Sequence, residues 1–183
     1  DIHFRPLTVD DVAEMSHIEL LSFSRPTSKE AYTNELVNND RAFYYGLFDG
    51  EQLIAFGGYW LILDEGHVIN IAVHPAYRRQ GYGELLMRQF ADGDYVVLLD
   101  EKGAEMRSVE FSMWLQKRMN SGVRRLCFVI GGPYGFSKTV YDRADESISL
   151  SQMTFSHQII RAIFAEQLYR AFTIIRNEPY HHE

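Results

Sequence analysis

The chain has 183 residues, 46% hydrophobic and 14% aromatic, with 18 Lys and Arg against 25 Asp and Glu for a formal net charge of −7. That length suits one domain or two small ones, and that apolar content excludes wholesale disorder. An acidic chain does not hold nucleic acid through its overall field, no apolar run is long enough for a membrane span, and a single cysteine excludes an internal disulfide.

The charge is uneven. Residues 1–90 carry about −6, 91–110 about −4 and 111–183 about +3, so contact with RNA falls to the C-terminal part. The opening "DIHFRPLTVDD" lacks the form of a secretory signal and, beginning at Asp1, reads as a trimmed start. "IHFR" predicts a short strand, and Thr8 or Asp10 caps the helix "VDDVAEMSHIELLSF", since either can place an oxygen over free amides. A second helix, "KEAYTNELVNN", follows "SRPTS". "AFYYGLF" and "QLIAFGGYWLIL", joined by "DGE", predict a hairpin, and "HVINIAV" a further strand. This half reads β-α-α-β-β-β-α. His67 and His74 flank its last strand and read as hydrogen-bonded structure, not catalysts.

From Asp94 the rhythm changes. "YVVLLD" predicts a buried parallel strand. "SVEFSMWLQKRMNSG" predicts a helix with an apolar face of Val109, Phe111, Trp114, Leu115 and Met119. "RLCFVI" is a second buried strand, with Cys127 as a core thiol in a reducing, cytoplasmic setting. A short helix, the strand "SISLS" and a long helix from about His157 to Arg176 complete the chain. Ile160, Ile163, Phe164, Leu168, Ala171, Phe172 and Ile175 share one side of that helix. Such alternation predicts a parallel sheet covered by helices. The seam lies near residues 86–94, with no linker in it.

Two glycine loops carry chemistry. In "NIAVHPAYRRQGYGELL" a strand runs into a helix start where Gly81 and Gly83 let the backbone approach an anion and Arg78 and Arg79 add charge. Residues 2–86, with "LTVDDVAEMSHIELLSF" and "WLILDEGHVINIAVHPAYRRQGYGELL" in that order, resemble the N-terminal half of the GNAT acetyltransferase superfamily. The resemblance implies acetyl-CoA contacts from Ile71 to Val73 and from Arg79, Gln80, Gly81, Tyr82, Gly83 and Glu84. It stops before the family's fifth strand, closing strands, carboxylate base and tyrosine acid, so the acetyl-CoA loop is expected to be vestigial.

The second loop, "FVIGGPYGFS", sits among "DYVVLLDEKG", "SISLSQMTFSHQIIRAIFAEQLYRAF" and "NEPYHHE". Together these resemble the C-terminal part of the SPOUT-class methyltransferases that modify N3 of a pseudouridine in large-subunit ribosomal RNA. The resemblance implies a C-terminal trefoil knot holding S-adenosyl-L-methionine (AdoMet). The contacts would come from Leu99, Gly132, Ser151, Gln152, Met153, Thr154, Phe155 and Ser156. Removal of the N3 proton needs positioning and a base; the candidates are the tail residues Tyr180 and His181, with His157 and Arg161 orienting substrate or phosphate. Tyr134 and His182 depart from the family pattern, and the family's first strand, first helix and second strand are absent.

The fold class is therefore α/β, a mixed GNAT-like half (residues 1–88) fused to a parallel, knotted SPOUT-like sheet (residues 89–183). Each part is cut inside its fold, which reads as a deliberate chimera whose turnover on ribosomes is weak or absent. The alternatives are a GNAT-type N-acetyltransferase and a recombined scaffold without activity. The last helix carries more apolar residues than one face needs, including Ile159 and Tyr169, and predicts a homodimer paired through it. The resemblance adds that the partner's tail completes each site. No metal and no membrane are expected.

Overall fold

The structure, a computed structural model, describes residues 1–22, 27–62, 66–131, 136–150 and 157–181. The strands are β1 (Ile2–Pro6), β2 (Ala42–Asp49), β3 (Gln52–Ile62), β4 (Gly66–Val73), β5 (Tyr95–Glu105), β6 (Leu126–Ile130) and β7 (Glu146–Ser149). The helices are α1 (Val12–Ser22), α2 (Lys29–Asn38), α3 (Tyr82–Ala91), α4 (Ser108–Asn120), α5 (Lys138–Arg143) and α6 (His157–Ile175). Of the two candidate caps it is Thr8 that acts. Its hydroxyl accepts from Asp10 N while its own N–H donates to Asp11, closing a capping box before α1. Arg5 then grips Asp11 through two bonds of 2.9 Å, which ties β1 to the helix start.

All seven strands form one mixed sheet in the order β1-β2-β3-β4-β6-β5-β7. The first four are antiparallel neighbours and the last four are parallel. The sheet crosses the predicted seam without a break, but not through the next strand in sequence. Gly66–Asn70 of β4 pairs with Leu126–Ile130 of β6, and β5 lies one place further out.

Crossover handedness accounts for this arrangement. The chain steps outward past a vacant place through α3 and returns to fill it through α4. Right-handed connections in opposite directions need their helices on opposite faces of the sheet. Leu86, Met87 and Phe90 of α3 accordingly sit in one core layer with Val140 of α5. Phe111 and Leu115 of α4 sit in the other with Phe164, Leu168 and Phe172 of α6, together with Met15, Ile18 and Tyr32 of α1 and α2. β6, buried at all five residues, can take the central place because no polar side chain must reach water from it. Cys127 lies within it as a core residue whose thiol is pushed up by burial.

Three expectations need correction. β5 continues five residues past "YVVLLD", with a register shift against β7 between Leu99 and Ala104. On α4, Met119 is exposed, lying in the last turn beyond the packed face. Trp114 is half-buried and donates its Nε1–H to Glu146 at 3.1 Å, so it serves a polar cluster at the rim as well as the core. On α6 only Phe164, Leu168, Ala171 and Phe172 of the predicted stripe are fully buried; Ile160 and Ile175 pack at its border.

Candidate functional site

β6 and β7 end at one level, beside Leu99 in the middle of β5. Leu99 of β5 pairs with Ile130 of β6 on one side and with Ile148 of β7 on the other. β6 leaves the sheet at Gly131, β7 ends at Ser149, and the chain re-enters described structure at His157, the first residue of α6. The segments holding Gly132 and Ser151 to Ser156 therefore begin on either side of Leu99. Gly132, Ser151, Gln152, Met153, Thr154, Phe155 and Ser156 themselves lie outside the described residues, as do Tyr134 and His182, and with them the predicted knot. A crevice beyond the carboxyl ends of parallel strands is where open α/β sheets take their ligands. Asp100, next after Leu99, accepts from Tyr141 Oη at 2.5 Å. Burial, with that carboxylate close by, pushes the Tyr141 hydroxyl up to about 12.

Of the four predicted catalytic residues, the side chain of His157 lies outside what is described, and Arg161 does not converge with the tail pair Tyr180 and His181 within the chain. Arg161 stands one turn into α6, but its guanidinium is engaged: it donates to Glu35 of α2 at 2.9 Å and lies 3.7 Å over the Trp60 ring. Glu35 also accepts from Trp60 Nε1 at 2.9 Å and Tyr44 Oη at 3.2 Å, which makes it the hub of a largely buried cluster between α2, the sheet and α6. Tyr180 and His181 fold back on the far half of α6. Arg170 donates to Glu166 through Nε at 3.0 Å and Nη2 at 2.6 Å, and to His181 Nδ1 through Nη1 at 2.9 Å. Tyr180 Oη donates to Glu166 at 3.3 Å, and its ring meets Tyr169 edge-on. At about 1.5 Å per helical residue, Glu166 and Arg170 stand roughly 14 and 20 Å from His157.

The other predicted loop lines a cleft of about 900 Å³, within the range of small-ligand sites. Gly81 caps α3 with φ of 84°, a left-handed conformation that glycine adopts without strain, and Arg79 shares that region at 62°. A Cβ on Gly83 would meet nothing closer than 3.9 Å, so its lack of a side chain leaves open space instead of permitting close packing. Arg78 reaches across to Ser22 Oγ at 2.7 Å, Gln80 bonds back to Ala76 O at 3.5 Å, and Glu84 pairs with Arg88 at 2.6 Å. Tyr82 packs edge-on against Tyr77.

The expected gap beside this loop is filled. β6 stands next to β4 where a fifth strand was missing from the sequence pattern, and among the described residues their ladder stops at Asn70–Ile130. Ile71 and Val73 thus open into the cleft, whose opposite wall is Gly131, Phe136, Ser137, Lys138, Thr139 and Val140. Sequence reasoning missed this wall because its residues follow the SPOUT-like loop. Glu35 was beyond reach, 126 residues from its partner. The Glu166–Arg170 pair carried a signal in its i, i+4 spacing.

His67 and His74 prove structural. His67 is buried and bonded through Nδ1 to Tyr59 Oη, and burial holds its pKa below the ordinary value. His74 Nδ1 caps the turn after β4 by accepting from Ala76 N at 3.0 Å. Among the described residues no group of His, Cys, Asp and Glu is arranged to hold a metal ion, and no helix is long and apolar enough to cross a membrane.

Comparison with known proteins separates the two regions. The family model described as a predicted SPOUT methyltransferase matches residues 69–181, and the acetyltransferase (GNAT) family model matches 12–93. The "Ribosomal RNA large subunit methyltransferase H" of Christiangramia forsetii is 46% identical over 165 residues, 90% of this chain and 98% of that protein. The protein of the same name from Parabacteroides distasonis is 59% identical over 123 residues, 67% of this chain and 77% of its own length. Among solved structures, the ribosomal-protein-S18-alanine N-acetyltransferase from Escherichia coli is 28% identical with a TM-score of 0.44, over 49% of this chain and 56% of that one. A match of 165 residues in a chain of 183 extends well upstream of the predicted seam, which does not favour a recombined scaffold without activity. The chain belongs to the SPOUT methyltransferase family, with a GNAT-like region at its N-terminal end.

Proposed function

We propose that the chain is an AdoMet-dependent methyltransferase acting on large-subunit ribosomal RNA, at N3 of a pseudouridine. AdoMet supplies the activated methyl group. Leu99 and the segments of Gly132 and Ser151 to Ser156 would hold it, in a trefoil knot closed by α6. The observation that carries this reading is the strand register, which starts both loops beside Leu99 at the carboxyl ends of β6 and β7. The names of relatives matching most of the chain supply the RNA substrate. Residues 1–88 and 89–183 act as two functional parts on one sheet, in the cytoplasm.

The placement of the tail supports a homodimer. Tyr180 and His181 are bound to the half of α6 remote from its start, so one chain does not bring them to its own Arg161 and the helix start at His157. Paired copies would deliver the tail of one protomer to the AdoMet of the other, where His157 opens α6. Arg161, held by Glu35 and Trp60, braces that helix start and orients substrate from a fixed position.

The cleft favours a second reading. With β6 in the place of the missing strand and the α3 N-terminus at its rim, it has the form of a slot for acetyl-CoA, and N-acetyl transfer would be the corresponding activity.

Thermal denaturation with each ligand separates the two. AdoMet or its demethylated product should raise Tm by the native-state binding relation, and labelled AdoMet should methylate ribosomes that lack the modification. A protein that shifts with acetyl-CoA but not with AdoMet would reverse the order of these readings.

A further inference from the structure

We infer that the cleft beside α3 is a regulatory site: a phosphorylated ligand with an apolar arm, seated there, tightens the binding of AdoMet at the neighbouring strand ends. This rests on the AdoMet reading above, and makes the slot of the second reading a control on the first.

Charge sets the class of ligand. Among the described residues that line the cleft, Arg78, Arg79 and Lys138 are cations and none is Asp or Glu, in a chain whose net charge is −7. The cations come from both parts of the chain, Arg78 and Arg79 from the loop before α3 and Lys138 from the start of α5. Lys138 pairs with Asp142 at 2.7 Å, but both side chains are exposed, and an anion can compete for an ammonium held by so weak a pair. Ile71, Val73 and Phe136 add apolar surface. Cations and apolar walls together suit phosphate groups joined to an apolar arm.

Two connections run from this cleft to Leu99. The first is β6 itself: Gly131 lines the cleft, and Ile130 before it pairs with Leu99. The second is a row of side chains. Phe136 lines the cleft, and its ring lies 2.7 Å from where a Cβ on Gly131 would stand, so ring and strand meet only because that residue is glycine. The same ring meets Tyr141 edge-on at 5.8 Å. Tyr141 Oη donates to Asp100 at 2.5 Å, and Asp100 follows Leu99 in β5. Packing sets the sign of the effect. Phe136 already rests on the end of β6 and cannot move further toward it, so a ligand against the ring holds it in place. Cleft ligand and AdoMet then favour the same arrangement of Gly131 and Asp100, and the first to bind has ordered it for the second. The coupling is mutual by linkage.

Calorimetry on the full chain tests this, with coenzyme A as the probe and pantetheine as its arm without the phosphates. Saturating coenzyme A should tighten the AdoMet Kd by about fivefold or more, and saturating AdoMet should tighten the coenzyme A Kd by the same factor. Pantetheine should bind at least about tenfold more weakly than coenzyme A, and Arg79→Glu should weaken coenzyme A to a similar degree. Tyr141→Phe keeps the ring and removes only the hydroxyl, so it should bind both ligands with the coupling reduced to about twofold. An AdoMet Kd that coenzyme A leaves unchanged or weakens overturns the inference, and full coupling in Tyr141→Phe overturns the side-chain connection that carries it. Equal binding of pantetheine and coenzyme A overturns the ligand class. A chain that binds no coenzyme A overturns the inference alone, since methyl transfer to ribosomes is measured without any cleft ligand. A chain that binds no AdoMet removes the methyltransferase reading and this inference together.

Discussion

Glu35→Ala probes the joint between the GNAT-like region and the helix of the methyltransferase part. Glu35 is the common acceptor for Arg161, Trp60 Nε1 and Tyr44 Oη. Removing it leaves the indole N–H of a ring only 8% exposed without its partner, a loss of about 1–3 kcal/mol for an unmet buried donor. It also strips the counter-ion from Arg161, whose side chain is 14% exposed. Breaking a fully buried pair costs about 3–5 kcal/mol. Here water reaches the edge of both groups, and Arg161 keeps its contact with the Trp60 face at 3.7 Å, so the pair contributes at the lower end. These effects overlap on the same atoms, and the expected total is about 3 kcal/mol. Equilibrium urea denaturation, followed by circular dichroism and by tryptophan fluorescence, measures it as a shift in midpoint at constant slope. The double variant with Arg161→Met should cost less than the sum of the singles by at least about 1 kcal/mol, since the second change removes the stranded charge. A single-variant cost below about 1 kcal/mol, or additivity of the two changes, refutes the buried-hub account.

Other expectations follow from local geometry. A Cβ on Gly103 would lie 2.7 Å from the backbone of Ser147 and Ile148, which cannot yield as a side-chain tip would. Gly103→Ala should cost about 1–3 kcal/mol by overpacking, and a melting temperature equal to the parent's would refute it. Burial pushes the Glu146 carboxyl up, but hydrogen bonds from Arg118, Tyr95 and Trp114 outweigh it and bring the pKa down to about 2 from an ordinary 4.5. A carboxyl depressed on folding stabilises the native state above its unfolded pKa, and that stability is lost as pH falls from about 4.5 to 2. Glu146→Gln should flatten the pH dependence of the urea midpoint across that window; an unchanged slope counts against it. Light scattering at micromolar concentration should give twice the chain mass of 21.3 kDa, and the monomer mass would remove both the dimer and the shared site.

Much of the outline was legible in the residues because its causes are local. The capping box at Thr8, the Asp-Gly-Glu turn between β2 and β3 and the fully apolar run of β6 act over a few positions, so pattern alone predicts them. The same holds for α6, whose 19 residues match the predicted helix to within one position. The left-handed turn at Gly81 was legible too, since the glycine it needs stands at the helix start in the sequence.

The tertiary structure decided what depends on distant partners. Strand order was one such matter. β5 follows α3 in the chain, yet β6 takes the place beside β4, because alternating right-handed crossovers put α3 and α4 on opposite faces and leave that place to be filled on the return. That placement turned a loop with no visible partner strand into the rim of a cleft walled by Lys138 and Phe136, residues that no spacing rule connects to Gly81. The duties of charged side chains were another. Arg161 reads in sequence as a residue that orients substrate or phosphate, and Glu35, far away in the chain, pairs with it. His181 reads as a base, and the folded chain sets its ring against Arg170 on the far half of α6. Helices and turns arise from energies shared between neighbours along the chain, whereas strand order and ion pairing arise from contacts that exist only once the chain has closed on itself.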